Sequence, residues 1–378
     1  MRKERIFTPG PTPLMPAAQL AISGPIFHHR TSQFRNLLLS TQSNLKKIFK
    51  TKSDLILLSC SGTGAMEAVS SNLILEETQS LIIVIGKFGQ RWVQICESTG
   101  HNCVVLSKAP GYALGAEEIS SELEKHPAVQ TLFIQGCETS TATMHDLKTI
   151  GKTIRAKFPE VLIVVDGSTA VGSQPIHTDE WGLDVVLSSS QKAFSMSPGL
   201  SFISLNGRAQ DRLTENYQGL YFNLKQEVTE QREGRTCFTP AISLIQALQA
   251  GTNSILDQGI DQVISETEMM ARATRAGLRS LNCKILSKSP ANAVTAAFPP
   301  LDILASQLIE RIKDRFGIKL AGGQGSLKGK IFRIAHLGYF DFLDVIAVLG
   351  ALELVIEELS KRKRDGRSLR AAIATWGK

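Results

Sequence analysis

A lysine among small polar residues lies near the middle of the chain, directly after a short apolar run. The segment Ser188–Lys192 reads SSSQK and follows Val185–Leu187. A partly desolvated lysine amine is a nucleophile and can form a Schiff base with a carbonyl carbon. The S-x-x-K spacing also matches the serine β-lactamase signature, but its S-D-N and K-T-G partners are absent from the sequence. The segment therefore predicts a Schiff-base lysine at Lys192, with an ordinary surface lysine as the alternative.

A single carboxylate, Asp166, ends the apolar run Val161–Val165. Burial of a carboxylate at the end of such a run is costly unless a cation compensates it. The protonated pyridine nitrogen of a cofactor is one such cation. A ribose-binding role in a dinucleotide site is excluded, because Asp166 lies about a hundred residues after the glycine-rich segment at Ser61–Ala68. A helix N-cap is the remaining alternative.

The glycine-rich segment Ser61–Ala68 reads SGTGAMEA and follows the apolar run Leu55–Ser59. Glycines let backbone N–H groups approach an anion, and a helix N-terminus favours negative charge. The segment is neither a Walker loop nor a G-x-G-x-x-G fingerprint, because the lysine and glycine spacings of those motifs are missing. It predicts either an anion-binding turn or only a tight connection between a strand and a helix.

Late in the chain, Arg333 alternates with apolar residues in the segment Gly329–Ile334. Its planar guanidinium suits bidentate binding of a carboxylate, although a structural ion pair explains the pattern equally well. The chain thus presents an anion loop, an acid, a lysine and an arginine in that order. Asp166 and Lys192 are 26 residues apart (192 minus 166), which one strand–loop–strand step accounts for.

The elements that must position these residues follow an α/β pattern. Short, continuously apolar runs are typical of strands buried on both faces, and the stretches between several of them have helical periodicity. Such alternation predicts right-handed crossovers and a mainly parallel sheet. The predicted strands are Leu55–Ser59, Leu81–Ile85, Cys103–Leu106, Thr131–Ile134, Val161–Val165, Val185–Leu187 and Leu200–Ser204. The predicted helices are Gly64–Leu75, Gln90–Ser98, Glu117–Lys125 and His145–Phe158.

Beyond about residue 205 the pattern changes. A long helical segment begins near Thr239-Pro240, runs to about Ser280 and is expected to break near Gly259. A smaller α+β region follows it. Its predicted elements are strands at Cys283–Leu286, Val294–Phe298 and Ile331–Ala335, and helices at Asp302–Phe316 and Asp341–Ser360. We divide the chain into an extended arm (1–14) without regular elements, a large domain (15–255) and a small C-terminal domain with a basic tail (256–378).

Composition is that of an ordinary soluble globular protein, with 43% hydrophobic and 20% charged residues and a net charge of +7. Six basic residues and one acid lie between Lys361 and Arg370. We expect them to stay solvated beyond a helix C-terminus, with nucleic acid or an anionic membrane as the alternative partner. The six cysteines lack C-x-x-C spacing, so neither a disulfide framework nor a metal site is expected. Without a signal segment or a long apolar stretch, the sequence predicts a cytoplasmic protein that does not enter membranes.

Together these segments resemble class V aminotransferases of fold type I, nearest the serine–pyruvate and alanine–glyoxylate group and the soluble hydrogenase small subunits. The resemblance runs from Thr8 to about Ser360. The matching segments are Thr8–Thr12, His29-Arg30, Ser61–Ala68, Gly86–Arg91, Glu138–Thr141, Asp166, Ser190–Lys192 with Pro198-Gly199, Phe238–Pro240 and Gly329–Gly338. The resemblance implies a pyridoxal 5'-phosphate enzyme with a mainly parallel seven-stranded sheet in a large domain and a smaller α+β domain. It also implies a homodimer with shared active sites.

The resemblance further implies a reaction and a role for each matching position. The reaction would move an amino group from L-serine or L-alanine to glyoxylate or pyruvate by ping-pong chemistry. Lys192 would carry the cofactor as a Schiff base and shuttle a proton, and Asp166 would keep the pyridine nitrogen protonated. The other implied contacts are Phe88 stacked on the ring, Thr139 near the ring hydroxyl, Gly62, Thr63, Gly64 and Gln191 at the phosphate with Thr239 or Thr236 from a partner subunit, Arg333 at the substrate carboxylate, and Gly10 in the substrate pocket.

Two positions depart from the family pattern, since Ala142 replaces a frequent glycine and Gly136 a histidine. Three other functions remain as alternatives. A cysteine desulfurase or related lyase needs a nucleophilic cysteine near the arginine, and residues 321–330 contain none. A racemase would use the same residues. A non-catalytic, hydrogenase-associated protein with this fold would be expected to have lost Lys192 or Asp166, and both are present.

Overall fold

The computed structural model describes residues 3–75, 77–213, 217, 219–361, 363 and 365–377. Its strands, in chain order, are β1 (Arg5–Ile6), β2 (Asp54–Leu58), β3 (Gln79–Val84), β4 (Cys103–Ser107), β5 (Val129–Gln135), β6 (Cys137–Glu138), β7 (Thr143–Met144), β8 (Leu162–Asp166), β9 (Val185–Ser189), β10 (Ser201–Leu205), β11 (Lys284–Ile285), β12 (Val294–Phe298), β13 (Ile318–Lys319), β14 (Ala321–Gly322) and β15 (Phe332–Ala335).

Helices connect and cover these strands. They are α1 (Pro16–Ile22), α2 (Ser32–Phe49), α3 (Gly62–Leu73), α4 (Lys87–Ser98), α5 (Ala116–Lys125), α6 (Leu147–Lys157), α7 (Gly207–Asp211), α8 (Leu224–Arg232), α9 (Ile242–Gln258), α10 (Ile260–Ser280), α11 (Ala305–Phe316), α12 (Phe342–Ser360) and α13 (Arg367–Thr375), with a short 3-10 turn at Gly325–Leu327. None of the helices in the described part of the chain is long and apolar enough to span a membrane.

The large sheet has seven strands in the order β2-β10-β9-β8-β5-β3-β4. Its pairings are parallel from β9 to β4, whereas β10 runs antiparallel to both of its neighbours. The expected mainly parallel seven-stranded sheet is therefore confirmed. Each predicted strand of the sheet overlaps an observed one.

Burial of this sheet on both faces explains why its strands can be predicted from the sequence. In β8, Ile163 and Val165 belong to one apolar core, while Leu162 and Val164 belong to the core on the opposite face. All four are at most 1% exposed. Asp166, the only charged residue of β8, is at its carboxyl end, where the flanking loops leave room for polar groups.

The second, smaller α+β unit is built on the antiparallel sheet β11-β12-β15-β14. Helices α10, α11 and α12 contribute to its own apolar core, which includes Phe332 and Ile334 of β15. The predicted break in the long helical segment is confirmed, since Gly259 separates α9 from α10 with a φ of 90°. Arg333 is placed by β15, so this unit brings the arginine toward the large sheet.

The N-terminal arm corrects one expectation, because it contains a regular element. Residues of β1 pair in parallel with β13, so Arg5 and Ile6 extend a strand of the small unit. Two residues are too few to show periodicity, and the pairing partner lies over 300 positions away in sequence. Beyond β1, the Thr12 hydroxyl donates to the carbonyl of Lys192 at 2.9 Å, which ties the arm to the loop after β9.

The basic tail also contains a helix that the sequence reasoning did not predict. Helix α13 packs on α10, and Trp376 beyond it stacks on Phe342 with ring centroids 4.2 Å apart. The basic side chains of the run that the structure describes, those of Lys361, Lys363, Arg367 and Arg370, are exposed as expected. Residues 362 and 364 of the run lie outside the described residues.

Candidate active site

A cavity of about 220 Å³ lies at the carboxyl ends of the large sheet's strands. Eight of the twelve residues proposed from the sequence line it, and they come from the arm, α3, α4, the end of β8 and the loops after β6 and β9. These eight are Gly10, Gly62, Thr63, Phe88, Thr139, Asp166, Gln191 and Lys192. Segments far apart in the sequence therefore meet at one place.

Lys192 follows β9 and is almost entirely buried, with 9% of its surface exposed. Its Nζ donates a hydrogen bond to the carbonyl oxygen of Pro9 at 2.6 Å. Burial lowers the pKa of the Lys192 amine to about 8, and the nearby Asp166 carboxylate acts in the opposite direction. The surface-lysine alternative is wrong. About a tenth of this amine is then neutral, and therefore nucleophilic, at pH 7, whereas an amine with the ordinary lysine pKa of 10.5 would be almost fully protonated.

Asp166 is 6% exposed at the end of β8 and shares the cavity with Lys192. One of its oxygens, Oδ1, accepts a hydrogen bond from the backbone N–H of Ser168 at 2.9 Å. No cationic side chain of the described residues forms a salt bridge with it. Asp166 therefore offers an accessible carboxylate to a positively charged group within the cavity.

The glycine-rich segment forms the first turn of α3, as expected. Ser61 caps the helix by accepting from the N–H of Gly64, while the N–H groups of Gly62 and Thr63 have no helical carbonyl to bond. Two atoms of the cavity wall, Ser189 Oγ and Gln191 Oε1, are buried without a hydrogen-bond partner in the described protein. Free N–H groups at a helix N-terminus suit an anionic ligand, and the unpaired Ser189 hydroxyl can donate to the same ligand.

Phe88 and Arg91, both on α4, face the same cavity. The Cζ atom of Arg91 lies 4.8 Å from the centroid of the Phe88 ring. Arg91 Nη1 donates to the hydroxyl of Thr63 at 3.0 Å, so that the Thr63 hydroxyl proton remains available to another acceptor. The cavity thus combines an aromatic surface with a positive charge beside the anion-binding turn.

Arg333 does not line the cavity, but it is bonded to a residue that does. Its Nη1 donates to the carbonyl of Thr139 at 2.9 Å, and its Nε and Nη2 donate to the carbonyl of Gly322. Of the two alternatives left open by the sequence, the structural ion pair is wrong, because the described residues place no carboxylate in a salt bridge with this guanidinium.

The remaining predicted residues lie farther from the cavity lining. Gly64 is within α3, one position beyond the two residues of the turn that reach the cavity. Thr236 is buried and donates to the carbonyl of Phe238. Thr239 is exposed and borders a separate depression that also contains His29 and Ile26. Neither threonine therefore lines the cavity of its own chain.

Sequence reasoning missed several residues of the cavity wall. Arg91 belongs to a segment that matched the family, but helical spacing from Phe88 was the only signal that both side chains share one face. Ser189 is the last residue of β9, two positions before Gln191, and no role is predicted for it from the sequence. Ser168 and Thr169 follow Asp166, and Thr169 shares a 2.6 Å hydrogen bond with Thr139.

The two departures from the family pattern have different structural consequences. Ala142 adopts a left-handed conformation with a φ of 55°, a region that glycine occupies without strain. Gly136 is closely packed, and a β-carbon at that position would lie 2.9 Å from the Cβ of Ala170. This backbone therefore has no room for a larger side chain at Gly136 unless its neighbours move.

Comparison with protein families identifies one match over most of the chain. The model for aminotransferase class V matches residues 21–336. The chain is 33% identical over 377 residues to the soluble hydrogenase 42 kDa subunit of Anabaena cylindrica, covering 98% of each protein. It is 27% identical over 383 residues to a serine–glyoxylate aminotransferase of Hyphomicrobium methylovorum, covering 99% of this chain and 94% of that one.

A solved structure supports the same relationship. The fold superimposes on an aspartate aminotransferase of subgroup IV from Thermus thermophilus with a TM-score of 0.89 and 31% sequence identity. The match covers 94% of this chain and 100% of that one. The similarity therefore includes both the large sheet and the smaller α+β unit.

Proposed function

Because this chain belongs to the class V aminotransferase family, we propose that it moves an amino group from L-serine or L-alanine to glyoxylate or pyruvate by ping-pong chemistry. Pyridoxal 5'-phosphate is the cofactor that the family implies. The observation that carries the proposal is Lys192, a buried amine with a pKa of about 8 that lines one cavity together with Asp166.

The residues of the cavity fit this cofactor. Its phosphate needs hydrogen-bond donors, which the N–H groups of Gly62 and Thr63 and the unpaired Ser189 hydroxyl supply. Its aromatic ring needs an apolar surface, which Phe88 offers. Gln191 lies next to the attachment site and would hold the phosphate through its side-chain amide.

When bound, pyridoxal phosphate supplies an electron sink that stabilises negative charge at the α-carbon of the substrate. Asp166 would hold the proton on the ring nitrogen that this property requires. Lys192 would carry the cofactor and, once its amine is free, would move a proton at Nζ. A pKa near 8 suits both tasks, because the amine can gain and lose a proton near neutral pH.

Arg333 would bind the carboxylate of the substrate. Its three hydrogen bonds to the carbonyls of Gly322 and Thr139 fix the plane of the guanidinium. Those bonds leave one N–H on each terminal nitrogen, and these two donors are available to a carboxylate. The serine–glyoxylate aminotransferase relative supports serine and glyoxylate as one pair of substrates.

We also propose a homodimer in which Thr236 or Thr239 of one subunit completes the phosphate site of the other. Support comes from their location, since neither lines the cavity of its own chain and Thr239 is exposed. Residues 15–255 would form the cofactor-binding domain, and residues 256–378 the domain that supplies Arg333. The helix break at Gly259 lies close to this boundary.

A half-reaction tests this function directly. L-serine or L-alanine added to the pyridoxal form should convert the cofactor to its amine form, seen as a change in the visible absorption spectrum. Subsequent addition of glyoxylate or pyruvate should restore the original spectrum. No conversion with any small amino acid would contradict the proposal, and loss of optical purity of alanine without release of pyruvate would identify a racemase instead.

A further inference from the structure

Glu138, at the end of β6, is a buried carboxylate to which the proposed chemistry assigns no role. It is 0% exposed, and both of its oxygens accept hydrogen bonds. Oε2 accepts from the backbone N–H groups of Phe88 and Gly89, each at 3.0 Å. Oε1 accepts from the N–H and the hydroxyl of Ser140 at 3.1 and 2.5 Å.

These contacts replace a cap that α4 lacks. The residue before the helix is Gly86, which has no side chain to accept from the first turn. The Ser140 hydroxyl accepts from the N–H of Lys87 at 2.9 Å, so Glu138 and Ser140 together satisfy the first three N–H groups of α4. The approach is close, because a β-carbon on Gly86 would lie 2.4 Å from the Ser140 oxygen.

The contacts favour an ionised carboxylate: burial raises the pKa of Glu138, and the hydrogen bonds from Ser140, Gly89 and Phe88 oppose that rise. Three of the four groups that contact Glu138 are backbone N–H donors, and the Ser140 hydroxyl, which accepts from Lys87, can give its own proton to an ionised Glu138. A negative charge is also favoured at a helix N-terminus. A glutamine would point its NH₂ group at N–H donors and leave some of them without an acceptor.

The helix whose first turn Glu138 caps contains two residues of the cavity wall. Phe88 is the second residue of α4, and Arg91, one turn later, bonds the Thr63 hydroxyl. On the other side, Thr139 follows Glu138 directly, and its carbonyl accepts from Arg333. The segment from Glu138 to Ser140 therefore bonds the backbone of Phe88 and the side chain of Arg333 directly, and helix α4 links it through Arg91 to the anion-binding turn.

We propose that Glu138 is a positioning residue that fixes the first turn of α4 and thereby sets where Phe88 and Arg91 meet the cofactor. This inference rests on the proposed function, because it concerns the same cavity. If the inference is right, loss of the Glu138 carboxylate weakens cofactor binding and changes the surroundings of the cofactor ring. These effects are additional to any general loss of stability.

The chain contains a matched control for this inference. Glu353 is 4% exposed and caps α13, accepting from the N–H groups of Arg367 and Ser368 at 3.0 and 3.1 Å. It also bonds the Ser368 hydroxyl. Both glutamates are thus buried side chains that cap a helix to which they do not belong, but Glu353 and the residues it contacts do not line the cavity.

The experiment compares Glu138→Gln and Glu353→Gln in the full-length protein. Three quantities are measured: the thermal midpoint without cofactor, the dissociation constant of pyridoxal phosphate, and the circular dichroism of the bound cofactor at its absorption band. We expect both variants to lose stability. Only Glu138→Gln should weaken cofactor binding, by about tenfold or more, and alter the dichroism. Amide hydrogen exchange at residues 87–89 should also become faster in that variant alone.

If Glu138→Gln does not fold, Ser140→Ala replaces it, since that change removes the acceptor for Lys87 and one donor to Glu138 while the carboxylate remains. It should shift cofactor affinity and exchange at residues 87–89 in the same direction by a smaller factor. A Glu138 or Ser140 variant with the affinity and dichroism of Glu353→Gln would overturn the inference and leave the proposed function intact. Wild-type protein that does not bind pyridoxal phosphate would overturn both.

Discussion

The side chain of Lys192 is in contact with the backbone of Gly10. A β-carbon at Gly10 would lie 2.5 Å from Lys192 Nζ, and the φ of Gly10 is 137°. The N-terminal arm therefore borders the cavity at the Lys192 amine, and the space between Gly10 and this amine is too small for a methyl group. This contact makes the arm part of the site rather than a loose extension.

Gly10→Ala is expected to displace either the arm or the amine. We predict that kcat falls at least about tenfold, since small misplacements of a reacting group are costly, and that the free energy of unfolding decreases by roughly 1–3 kcal/mol. Gly100→Ala is the control. Gly100 also has a positive φ, 74°, but a β-carbon there would meet nothing within 4 Å. Equal kcat values in the two variants would show that the contact between Gly10 and Lys192 does not affect catalysis.

The lowered pKa of Lys192 predicts how cofactor attachment depends on pH. The neutral amine is the nucleophile, so the rate of attachment to the apoprotein should rise about tenfold per unit up to a pH of about 8 and then level off. Asp166→Asn should move the midpoint lower, because the carboxylate raises the pKa of the amine. Stopped-flow absorbance over a pH series measures both. A midpoint near 10.5, the ordinary lysine value, would contradict the burial argument.

Substitution of Arg333 tests carboxylate recognition. Arg333→Lys keeps the charge but loses the bidentate fork, so KM for L-alanine should rise roughly 10- to 100-fold with a smaller change in kcat. Alaninamide, which has no carboxylate, serves as the control substrate. Its half-reaction should change little. An equal loss for both substrates would indicate that Arg333 acts only by holding Gly322 and Thr139 in place.

The large sheet could be predicted because its strands are buried on both faces. Apolar runs such as Leu162 to Val165 are then continuous and end in polar residues at the edge where sites form. Asp166 and Lys192 were recognisable for that reason. By contrast, β1 and α13 depend on pairing or packing with distant segments, which no local pattern encodes.

Contacts between loops and distant helices account for what the sequence left open. Glu138 lay in a segment that matched the family, but its role depends on α4, about fifty residues earlier, approaching within hydrogen-bond distance. The sequence predicts either a carboxylate clamp or an ion pair at Arg333, and the structure decides against the ion pair because the guanidinium donates to the carbonyls of Gly322 and Thr139 and to no carboxylate of the described residues. The residues that form these contacts are close in space, but the number of residues between them in the chain follows no pattern that a sequence motif could reveal.

The central claim is that Lys192 carries the cofactor, and borohydride reduction followed by peptide mass spectrometry tests it most directly. Reduction of the yellow protein should leave the pyridoxyl phosphate mass on the peptide that contains Lys192, and Lys192→Ala protein should show no such adduct. A borohydride-stable adduct that persists in Lys192→Ala, or that maps to another lysine in the unchanged protein, would contradict the account.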